Sequence, residues 1–453
     1  MLNIRWKKHG RIFHIGLKKK NSFSYSHTSN PVPVKIKNDI YRIFYASRNK
    51  DNKSSIFSFD FDLKKLDAVD ALVKSYVEKN HLVGAVTLVV KNNQLVHYKG
   101  HGYADLATKK PMPADAIFRI MSQTKAITSL GILQLFEQGK LRLDQPISDF
   151  LPSFKSPRVL KEYNAADTSY TSEPAKREIT FRDLLTHSSG LDYAGIGSDK
   201  MKAIYAKAGI PSGLGDNGTT LLQAITKLGT LPLIHNPGER FTYGLNTDVL
   251  GCLIEVISGE TLEDYLTNHI FIPLGMKDTY FNIPAEKQNR LVTLYSSFNG
   301  KLVRAPESTT LQGTKIYRDF PNMNFPMYSG GGGLSSTIMD YAIFMQMMLN
   351  GGEYNGVRIL SRNSVRMMTQ NQIGDLDNGV NKFGLGFGIT TEKGSSLLPL
   401  NEGSFQWGGM FSTTYWADPK EKIVGLFYTN IYPASHGDVH DRFKVLMYQA
   451  IND

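Results

Sequence analysis

The sequence of 453 residues predicts an α+β protein, in which a central antiparallel sheet is flanked by helices and joined to an all-helical subdomain. Strand patterns occur near the start of the chain and return at its end, whereas residues 192–300 between them are largely helical in pattern. The predicted strands are residues 83–90, 94–98, 383–389, 411–417 and 423–429. A sheet formed from distant segments, with a helical insertion over it, explains this order.

Residues 1–62 differ in character from the rest of the chain. Residues 40–46 and 56–61 alternate apolar and polar side chains on either side of a polar stretch, which predicts a β-hairpin. We therefore divide the chain into a basic N-terminal appendage with a β-hairpin, residues 1–62, and a main domain, residues 63–453.

The formal net charge of +11 is confined to the N-terminal part of the chain. Residues 1–50 contain twelve Lys or Arg residues and one acid, Asp39, and their net charge of 12 − 1 = +11 equals the whole excess. Residues 51–453 are neutral, with forty basic and forty acidic residues, so their charge does not indicate a nucleic-acid partner, and basic arms are most often solvated. We expect no nucleic-acid binding.

Cysteine usage and hydropathy limit the class of protein. The single cysteine, Cys252, excludes an internal disulfide and lies in an apolar run typical of a core. No segment approaches the roughly 20 apolar residues that span a bilayer, so we expect no transmembrane segment. The basic start has no apolar stretch of a secretory signal before Lys18, which favours a cytoplasmic location.

One stretch combines a buried helix with a polar pair at its start. Residues 126–136 carry apolar side chains at helical spacing, and Gly139 supplies a C-terminal stop. The apolar positions are Ile127, Leu130, Ile132, Leu133, Leu135 and Phe136. Ser122 is predicted in the first turn, with Lys125 on the same face one turn further in.

This spacing suits nucleophilic chemistry. A serine hydroxyl needs a base to become a good nucleophile, and a desolvated lysine loses its proton more readily than a solvated one. The helix N-terminus also favours developing negative charge. Spacing alone is weak evidence, because Ser47 and Lys50 repeat it in the predicted hairpin turn. The alternative for Ser122 is an N-cap serine beside a solvated lysine.

Further phrases point to a known family. They are Met121-Ser122-Gln123-Thr124-Lys125, Leu184-Leu185-Thr186-His187-Ser188-Ser189-Gly190-Leu191, Pro237-Gly238-Glu239-Arg240-Phe241-Thr242-Tyr243, Pro273-Leu274-Gly275-Met276-Lys277-Asp278-Thr279, the glycines from Gly330, and Gln406-Trp407-Gly408-Gly409. In their order and spacing, the chain resembles the serine β-lactamase and penicillin-binding-protein superfamily, particularly its class C-like esterase branch, over residues 63–453. The resemblance implies a serine β-lactamase/DD-peptidase-like fold for that hydrolase domain.

The resemblance also implies roles for individual residues. Ser122 is expected to be the acylated nucleophile, Lys125 its first base partner, and Tyr243 the family's catalytic tyrosine. The backbone N–H groups of Ser122 and Met410 are expected to form the oxyanion hole, with Met410 on the strand just after Gly408 and Gly409.

Two motifs depart from the pattern of drug-hydrolysing members. Tyr243 is followed two residues later by Leu245, and asparagine comes one step further on, at Asn246. The third motif has Trp407-Gly408-Gly409 in place of Lys-Thr-Gly, with residues 393–395 as a rival in a polar loop. Without that lysine the site lacks a cation for a substrate carboxylate, which favours neutral esters or amides. The expected substrate-binding residues are Trp407, Gly408, Gly409 and Asn246.

Other polar features are not assigned to chemistry. His187 is expected to be structural, since Lys125 and Tyr243 fill the base role. His436, His440 and Asp441 have helical metal-ligand spacing, but no other acidic or histidine cluster is matched to them, so we assign them to an exposed helix start instead of a metal site. The glycines at 330–333 lack the Gly-Lys-Ser/Thr of a phosphate loop. We predict no metal and no organic cofactor.

The resulting hypothesis is a serine hydrolase that cleaves small esters, or amides, through an acyl-enzyme on Ser122. The nearest alternative is a β-lactamase or D-amino-acid peptidase of the same superfamily. A third possibility is a non-catalytic penicillin-binding-type receptor, although such a receptor has no need of Ser122, Lys125 and Tyr243 together. The sequence does not indicate the oligomeric state.

Overall fold

A computed structural model describes residues 32–37, 40–48, 54–211, 218–298, 300–311 and 314–451. The α-helices in these residues are α1 (Leu63–Glu78), α2 (Thr124–Glu137), α3 (Phe181–Leu185), α4 (Asp199–Lys207), α5 (Leu221–Leu228), α6 (Asn246–Ser258), α7 (Leu262–Leu266), α8 (Ile272–Leu274), α9 (Ile338–Leu349), α10 (Arg362–Met368), α11 (Glu392–Ser395) and α12 (Asp438–Gln449). Within the described residues, none of these helices combines the length and apolar character that a membrane crossing requires.

The strands belong to one large sheet and several small ones. They are β1 (Val32–Lys37), β2 (Ile40–Arg48), β3 (Ser54–Asp62), β4 (Gly84–Lys91), β5 (Gln94–Asp105), β6 (Lys110–Pro111), β7 (Ile117–Arg119), β8 (Arg158–Tyr163), β9 (Tyr170–Pro174), β10 (Tyr295–Phe298), β11 (Lys301–Arg304), β12 (Ser308–Leu311), β13 (Thr314–Tyr317), β14 (Ser335–Thr337), β15 (Glu353–Tyr354), β16 (Val357–Arg358), β17 (Lys382–Phe383), β18 (Gly388–Ile389), β19 (Phe405–Gly409), β20 (Thr413–Asp418) and β21 (Ile423–Tyr428).

The large sheet joins the two ends of the main domain. Its eight strands lie in the order β17-β18-β19-β20-β21-β4-β5-β6, and neighbours are antiparallel throughout. At the junction between the two chain ends, Leu426 of β21 lies opposite Leu88 of β4. This confirms the α+β fold predicted from strands at both ends of the sequence.

Helices cover both faces of this sheet. On one face, α1 and α12 pack together, and Val73 and Phe443 contribute to an apolar cluster with Trp416. On the other face, Leu88 and Leu426 belong to the main core with residues of α2 and α9. Strand side chains alternate between the two faces of the sheet, and both faces are covered by helices. Strands β4 and β21 are therefore apolar at nearly every position and buried throughout.

The helical subdomain, formed by α3 to α8, packs against the far side of α2. Helix α6 contacts α2, α3, α5 and α7, so it joins the subdomain to the core. Helix α2 is therefore buried on nearly all sides, in agreement with its apolar sequence. Its N-terminus lies where the sheet and the subdomain meet.

A short strand pair links α2 to the glycine run, residues 330–333. Strand β7 pairs with β14, with Arg119 opposite Ser335. The Arg119 side chain is fully buried, where it donates to the carbonyl oxygen of Val292 at 2.7 Å and forms an ion pair with Asp319 at 3.0 Å. Burial lowers the pKa of Arg119 to about 10, so the guanidinium stays charged at neutral pH.

The N-terminal part contains a three-stranded sheet among its described residues. Strands β2 and β3 pair antiparallel at the position of the predicted hairpin, and β1 adds to the outer side of β2. Residues 1–31, which hold much of the basic charge, lie outside the described residues. The division of the chain at residue 62 remains a prediction.

Two segments differ from the sequence prediction. Residues 155–175, for which the sequence predicts no strand, contain the hairpin of β8 and β9, whose side chains are mostly exposed. A solvated hairpin of charged and hydroxyl side chains lacks the apolar alternation on which strand prediction depends. The strand predicted at 383–389 is two short strands, β17 and β18, joined by a turn.

The central pairing of β4 and β21 predicts a stability effect. Leu88→Ala removes a fully buried side chain, and we expect it to lower the free energy of unfolding by about 2–5 kcal/mol. Leu397 is 65% exposed, so Leu397→Ala is the matched control and should stay within about 0.5 kcal/mol. Urea unfolding followed by circular dichroism measures both; equal effects would contradict the packing.

Candidate active site

Ser122 lies in a tight turn at the N-terminus of α2. The turn is a 3₁₀ helix, Met121–Gln123, between β7 and α2, so Ser122 precedes the helix instead of lying in its first turn as predicted. Met121 has a φ of 51°, a left-handed conformation that is uncommon for a residue with a side chain. Ser122 is the only partly exposed residue from Ala116 to Leu133. The turn therefore presents one hydroxyl at the surface of a closed core.

Two buried tyrosines hold the turn from behind. Tyr341 donates to the backbone oxygen of Gln123 at 2.9 Å, and Tyr428 donates to the Gln123 side-chain oxygen at 2.5 Å. Both tyrosines are fully buried. Because Gln123 is held through its main chain and its side chain, the neighbouring Ser122 has little freedom to move.

Lys125 is buried directly behind the serine turn. Its Nζ donates to the hydroxyl of Tyr193 at 2.8 Å and to the backbone oxygen of Gly331 at 2.6 Å. The same Nζ lies 4.7 Å from the ring centroid of Tyr243, within the range of a cation–π contact. Lys125 therefore joins the glycine run to two tyrosines.

The surroundings of Lys125 favour its charged form. Burial by itself lowers the pKa of this lysine, but Tyr193, Tyr243 and Asp248 together raise the pKa above its ordinary value. This differs from the sequence-based expectation of a lysine that gives up its proton on desolvation. Burial also raises the pKa of Tyr193, so this phenol stays neutral at physiological pH.

Asp248 supports the lysine from α6. Its carboxylate accepts a hydrogen bond from Ser329 at 2.5 Å and another from the backbone N–H of Gly331 at 3.2 Å. Burial raises the pKa of Asp248, while Lys125 and these donors oppose the rise. A Cβ on Gly331 would lie 2.4 Å from the carboxylate, so glycine is required there.

Tyr243 lies on the loop before α6, at the edge of the Lys125 site. Its hydroxyl accepts a hydrogen bond from the indole N–H of Trp407 at 3.3 Å. The Tyr243 ring packs 4.7 Å from the His187 ring and 5.6 Å from the Trp407 ring. The structure thus brings Ser122, Lys125 and Tyr243 to one place and adds Trp407 as a hydrogen-bond donor to Tyr243.

His187 and Asn246 lie behind Tyr243. The side-chain amide of Asn246 donates to Nδ1 of His187 at 2.9 Å and accepts from Ser189, and Asn246 is fully buried. The backbone oxygen of His187 accepts from Thr242 N–H at 2.7 Å. These contacts differ from the substrate contact predicted for Asn246, because its polar groups are occupied inside the protein. His187 holds the loop of Tyr243, in agreement with a structural role.

The third motif forms the opposite side of the site. Strand β19 ends at Gly409, where a Cβ would lie 2.3 Å from the backbone oxygen of Ile120, so glycine permits β19 to contact the serine turn. Met410 follows in the turn between β19 and β20, not on a strand as predicted. Lys393, of the rival motif, is exposed on α11 and not on a strand.

An apolar cluster lies on the β10–β13 side of Ser122. Met121 and Phe411 are buried in it, and Met410 packs against it while partly exposed. The other members are Leu294, Ala305, Phe320, Tyr317 and Phe325. This side of the site is therefore apolar.

A cavity of about 380 Å³ has Tyr243 in its wall. Its lining residues are Asp192, Ile196, Gly197, Ser198, Ile234, Arg240, Phe241, Thr242 and Tyr243. Most come from the segments after His187 and before α6, the parts of the helical subdomain nearest the sheet. The site therefore has open volume beside Tyr243.

Two residues of this arrangement were not identified from the sequence. Tyr193 follows the phrase that ends at Leu191 by two residues, and Asp248 follows Asn246 by two residues. Both lie beside motifs that were recognised, but only the fold shows that they converge on Lys125. The histidines with metal-ligand spacing have other neighbours: His436 stacks on His81 with ring centroids 3.5 Å apart, and His440 Nδ1 lies 3.2 Å from the Thr414 hydroxyl.

The buried imidazole of His187 predicts a pH effect on stability. Burial, with a smaller effect of Lys125, places the pKa of His187 well below its ordinary value. Below about pH 6.5 this histidine binds a proton in the unfolded chain but not in the folded chain. The free energy of unfolding therefore decreases as the pH is lowered, by up to about 1.4 kcal/mol per pH unit. His187→Gln keeps an acceptor for Asn246 but does not titrate. Urea unfolding between pH 6.5 and 5 should show a shallower slope for this variant; equal slopes would contradict the assignment.

Comparison with known proteins identifies the family. The model of the family described as Beta-lactamase matches residues 69–448. Protein Rv1367c of Mycobacterium tuberculosis (strain ATCC 25618 / H37Rv) is 33% identical over 376 residues, which cover 80% of this chain and 89% of the relative. Esterase EstB of Burkholderia gladioli is 29% identical over 390 residues, which cover 82% of this chain and 92% of the relative.

A solved structure supports the same conclusion. EstCE1, described as a hydrolase with promiscuous acyltransferase activity, superposes with a TM-score of 0.75 and 25% identity, covering 85% of this chain and 99% of that chain. The residues that the family model matches include the serine turn, the Tyr243 loop and the β19 motif, which lie together in the structure. The chain therefore belongs to the Beta-lactamase family of serine hydrolases.

Proposed function

We propose that this protein is an esterase that hydrolyses small neutral esters through an acyl-enzyme on Ser122. The proposal rests on the partly exposed Ser122, three residues before the buried Lys125, whose ammonium lies 4.7 Å from the ring centroid of Tyr243. The name of the relative EstB supports ester cleavage as the reaction. A protein that only binds a ligand does not need Ser122, Lys125 and Tyr243 together.

The proposed acylation step begins with proton transfer. Tyr243 in its phenolate form takes the proton of Ser122, and the Ser122 oxygen bonds to the ester carbonyl carbon. The ammonium of Lys125, which lies 4.7 Å from the Tyr243 ring centroid, stabilises the negative charge of the phenolate. Tyr243 then gives the proton to the leaving oxygen as its bond to carbon breaks, which releases the alcohol. This assigns the base role to Tyr243, with Lys125 as its charged partner.

Deacylation repeats the step with water. A water molecule gives a proton to Tyr243 and attacks the acyl carbonyl carbon, the bond to Ser122 breaks, and the serine recovers the proton. The carboxylic acid is the second product. In both steps the backbone N–H groups of Ser122 and Met410 are proposed to stabilise the oxyanion, and each such donor is typically worth about 10²–10³ in rate.

The walls of the site support the choice of neutral substrates. The third motif contributes Trp407, Gly408 and Gly409, which offer no cation for a carboxylate. The apolar cluster around Met410 is a suitable wall for a hydrocarbon acyl group. A β-lactam or a peptide with a free carboxylate lacks its usual charged partner at this position.

Ser122→Ala should abolish hydrolysis of p-nitrophenyl butyrate and leave the circular dichroism spectrum unchanged, because it removes only the hydroxyl of a partly exposed side chain. Ser395→Ala, in the rival motif on α11, is the matched control and should retain full activity. Retained activity in Ser122→Ala would refute the nucleophile. A cephalosporin reporter hydrolysed as fast as the best ester would favour the β-lactamase alternative.

Tyr243→Phe should lower kcat for the same ester by about 10²–10⁴, the usual contribution of a general base. The phenylalanine keeps the ring packing against His187 and removes only the hydroxyl. Tyr170→Phe, at an exposed position on β9, is the control and should not change kcat. An unchanged kcat in Tyr243→Phe would remove the tyrosine from the mechanism.

A further inference from the structure

Three potential metal ligands meet beneath α1, on the sheet face opposite to Ser122. His97 and His101 lie on β5, four residues apart, and therefore project from the same face of the strand. Asp70 of α1 lies above them, and the three ligand atoms are within 4.8 Å of one another. Both histidines are buried. Among the described residues, this is the only group of three or more such side chains with this spacing.

The two imidazoles converge on one point. Nε2 of His97 lies 2.7 Å from the hydroxyl oxygen of Thr87, and Nε2 of His101 lies 3.0 Å from the same oxygen. Thr87 is on β4, fully buried, directly opposite Lys99 in the strand pairing. Both ring nitrogens are thus within hydrogen-bond distance of one hydroxyl oxygen, which brings the two nitrogens close together.

The carboxylate of Asp70 lies beside the two imidazoles. One oxygen, Oδ2, forms an ion pair with Lys99 at 2.6 Å, and the other, Oδ1, lies 3.8 Å from Nε2 of His101. A separation of 3.8 Å is too long for a hydrogen bond. Two ligands of one zinc ion, each about 2.0–2.2 Å from it, can be this far apart.

We propose that Asp70, His97 and His101 bind one Zn²⁺ ion. Two imidazole nitrogens and one carboxylate oxygen are a common ligand set for zinc, and the Thr87 hydroxyl or a water molecule completes four ligands. The ligand atoms lie within 4.8 Å of one another, whereas tetrahedral zinc bonds of about 2.0–2.2 Å place ligand atoms about 3.4 Å apart, so binding draws the ligands together by up to about 1.4 Å. Lys99 acts through Asp70, because it fixes the carboxylate that it contacts.

The position of this zinc site points to a structural role. Thr87 and the two histidines are on the α1 side of the sheet, whereas Val86 and Leu88 of the same strand face α2. An ion at this position ties α1 to β4 and β5 and makes no contact with Ser122. Lys99, 36% exposed, marks the side from which an ion can enter. Ester hydrolysis therefore does not require the ion, and the two proposals can fail separately.

Binding is measured on the full chain without a histidine tag, after dialysis against a chelator. Titration calorimetry with ZnCl2 should show one equivalent bound, and ZnCl2 should raise the melting temperature. Asp70→Asn keeps the shape of the side chain, and His101→Gln keeps a polar group for Thr87; each should weaken zinc binding at least tenfold. His81→Gln is the matched control, since His81 stacks on His436 outside the zinc site.

Two results would overturn the zinc proposal. One is wild-type protein that binds less than half an equivalent of zinc at micromolar concentration. The other is equal binding by wild type, Asp70→Asn and His101→Gln, or an equal loss in His81→Gln. Hydrolysis of p-nitrophenyl butyrate, measured on the same samples, should be the same in all of them with and without zinc, which separates this test from that of the esterase.

Discussion

The buried ammonium of Lys125 is the interaction on which the proposed site depends. A charge with almost no solvent contact needs compensation from its neighbours, and Lys125 finds it in the Tyr193 hydroxyl, the Gly331 carbonyl and the nearby carboxylate of Asp248. These partners come from the subdomain, from the glycine run and from α6. Satisfying one charge therefore fixes the relative positions of three segments around Ser122.

The sheet positions the remaining parts of the site. Because β21 pairs with β4, the C-terminal strands lie beside the serine turn, although more than 280 residues separate Ser122 from Gly409 along the chain. Gly409 then permits β19 to touch the main chain at Ile120. The indole of Trp407 reaches Tyr243 from the same strand. The site is consequently a product of contacts between the two ends of the main domain and the helices between them.

The parts of the fold and of the proposed site that depend on local patterns could be predicted from the sequence. The apolar run of α2, the strands β4 and β21, and the motif residues Ser122, Lys125 and Tyr243 are visible as short patterns. Contacts between distant segments are not visible in this way. Tyr193 and Asp248 have no sequence pattern of their own, although the raised pKa of Lys125 depends on them. Asn246 shows the reverse problem, since a motif position suggested substrate contact and the fold buries its amide against His187.

Acylation of Ser122 during turnover is measured most directly by mass spectrometry of the acid-quenched protein. The protein is mixed with excess p-nitrophenyl butyrate, quenched in acid within the first turnovers, digested and mapped. If Ser122 is the nucleophile, we expect a mass increase of one butyryl group on the peptide that contains Ser122 and on no other peptide. A butyryl group on another residue, or rapid p-nitrophenol release with unmodified Ser122 at every quench time, would show that Ser122 is not the acylated nucleophile.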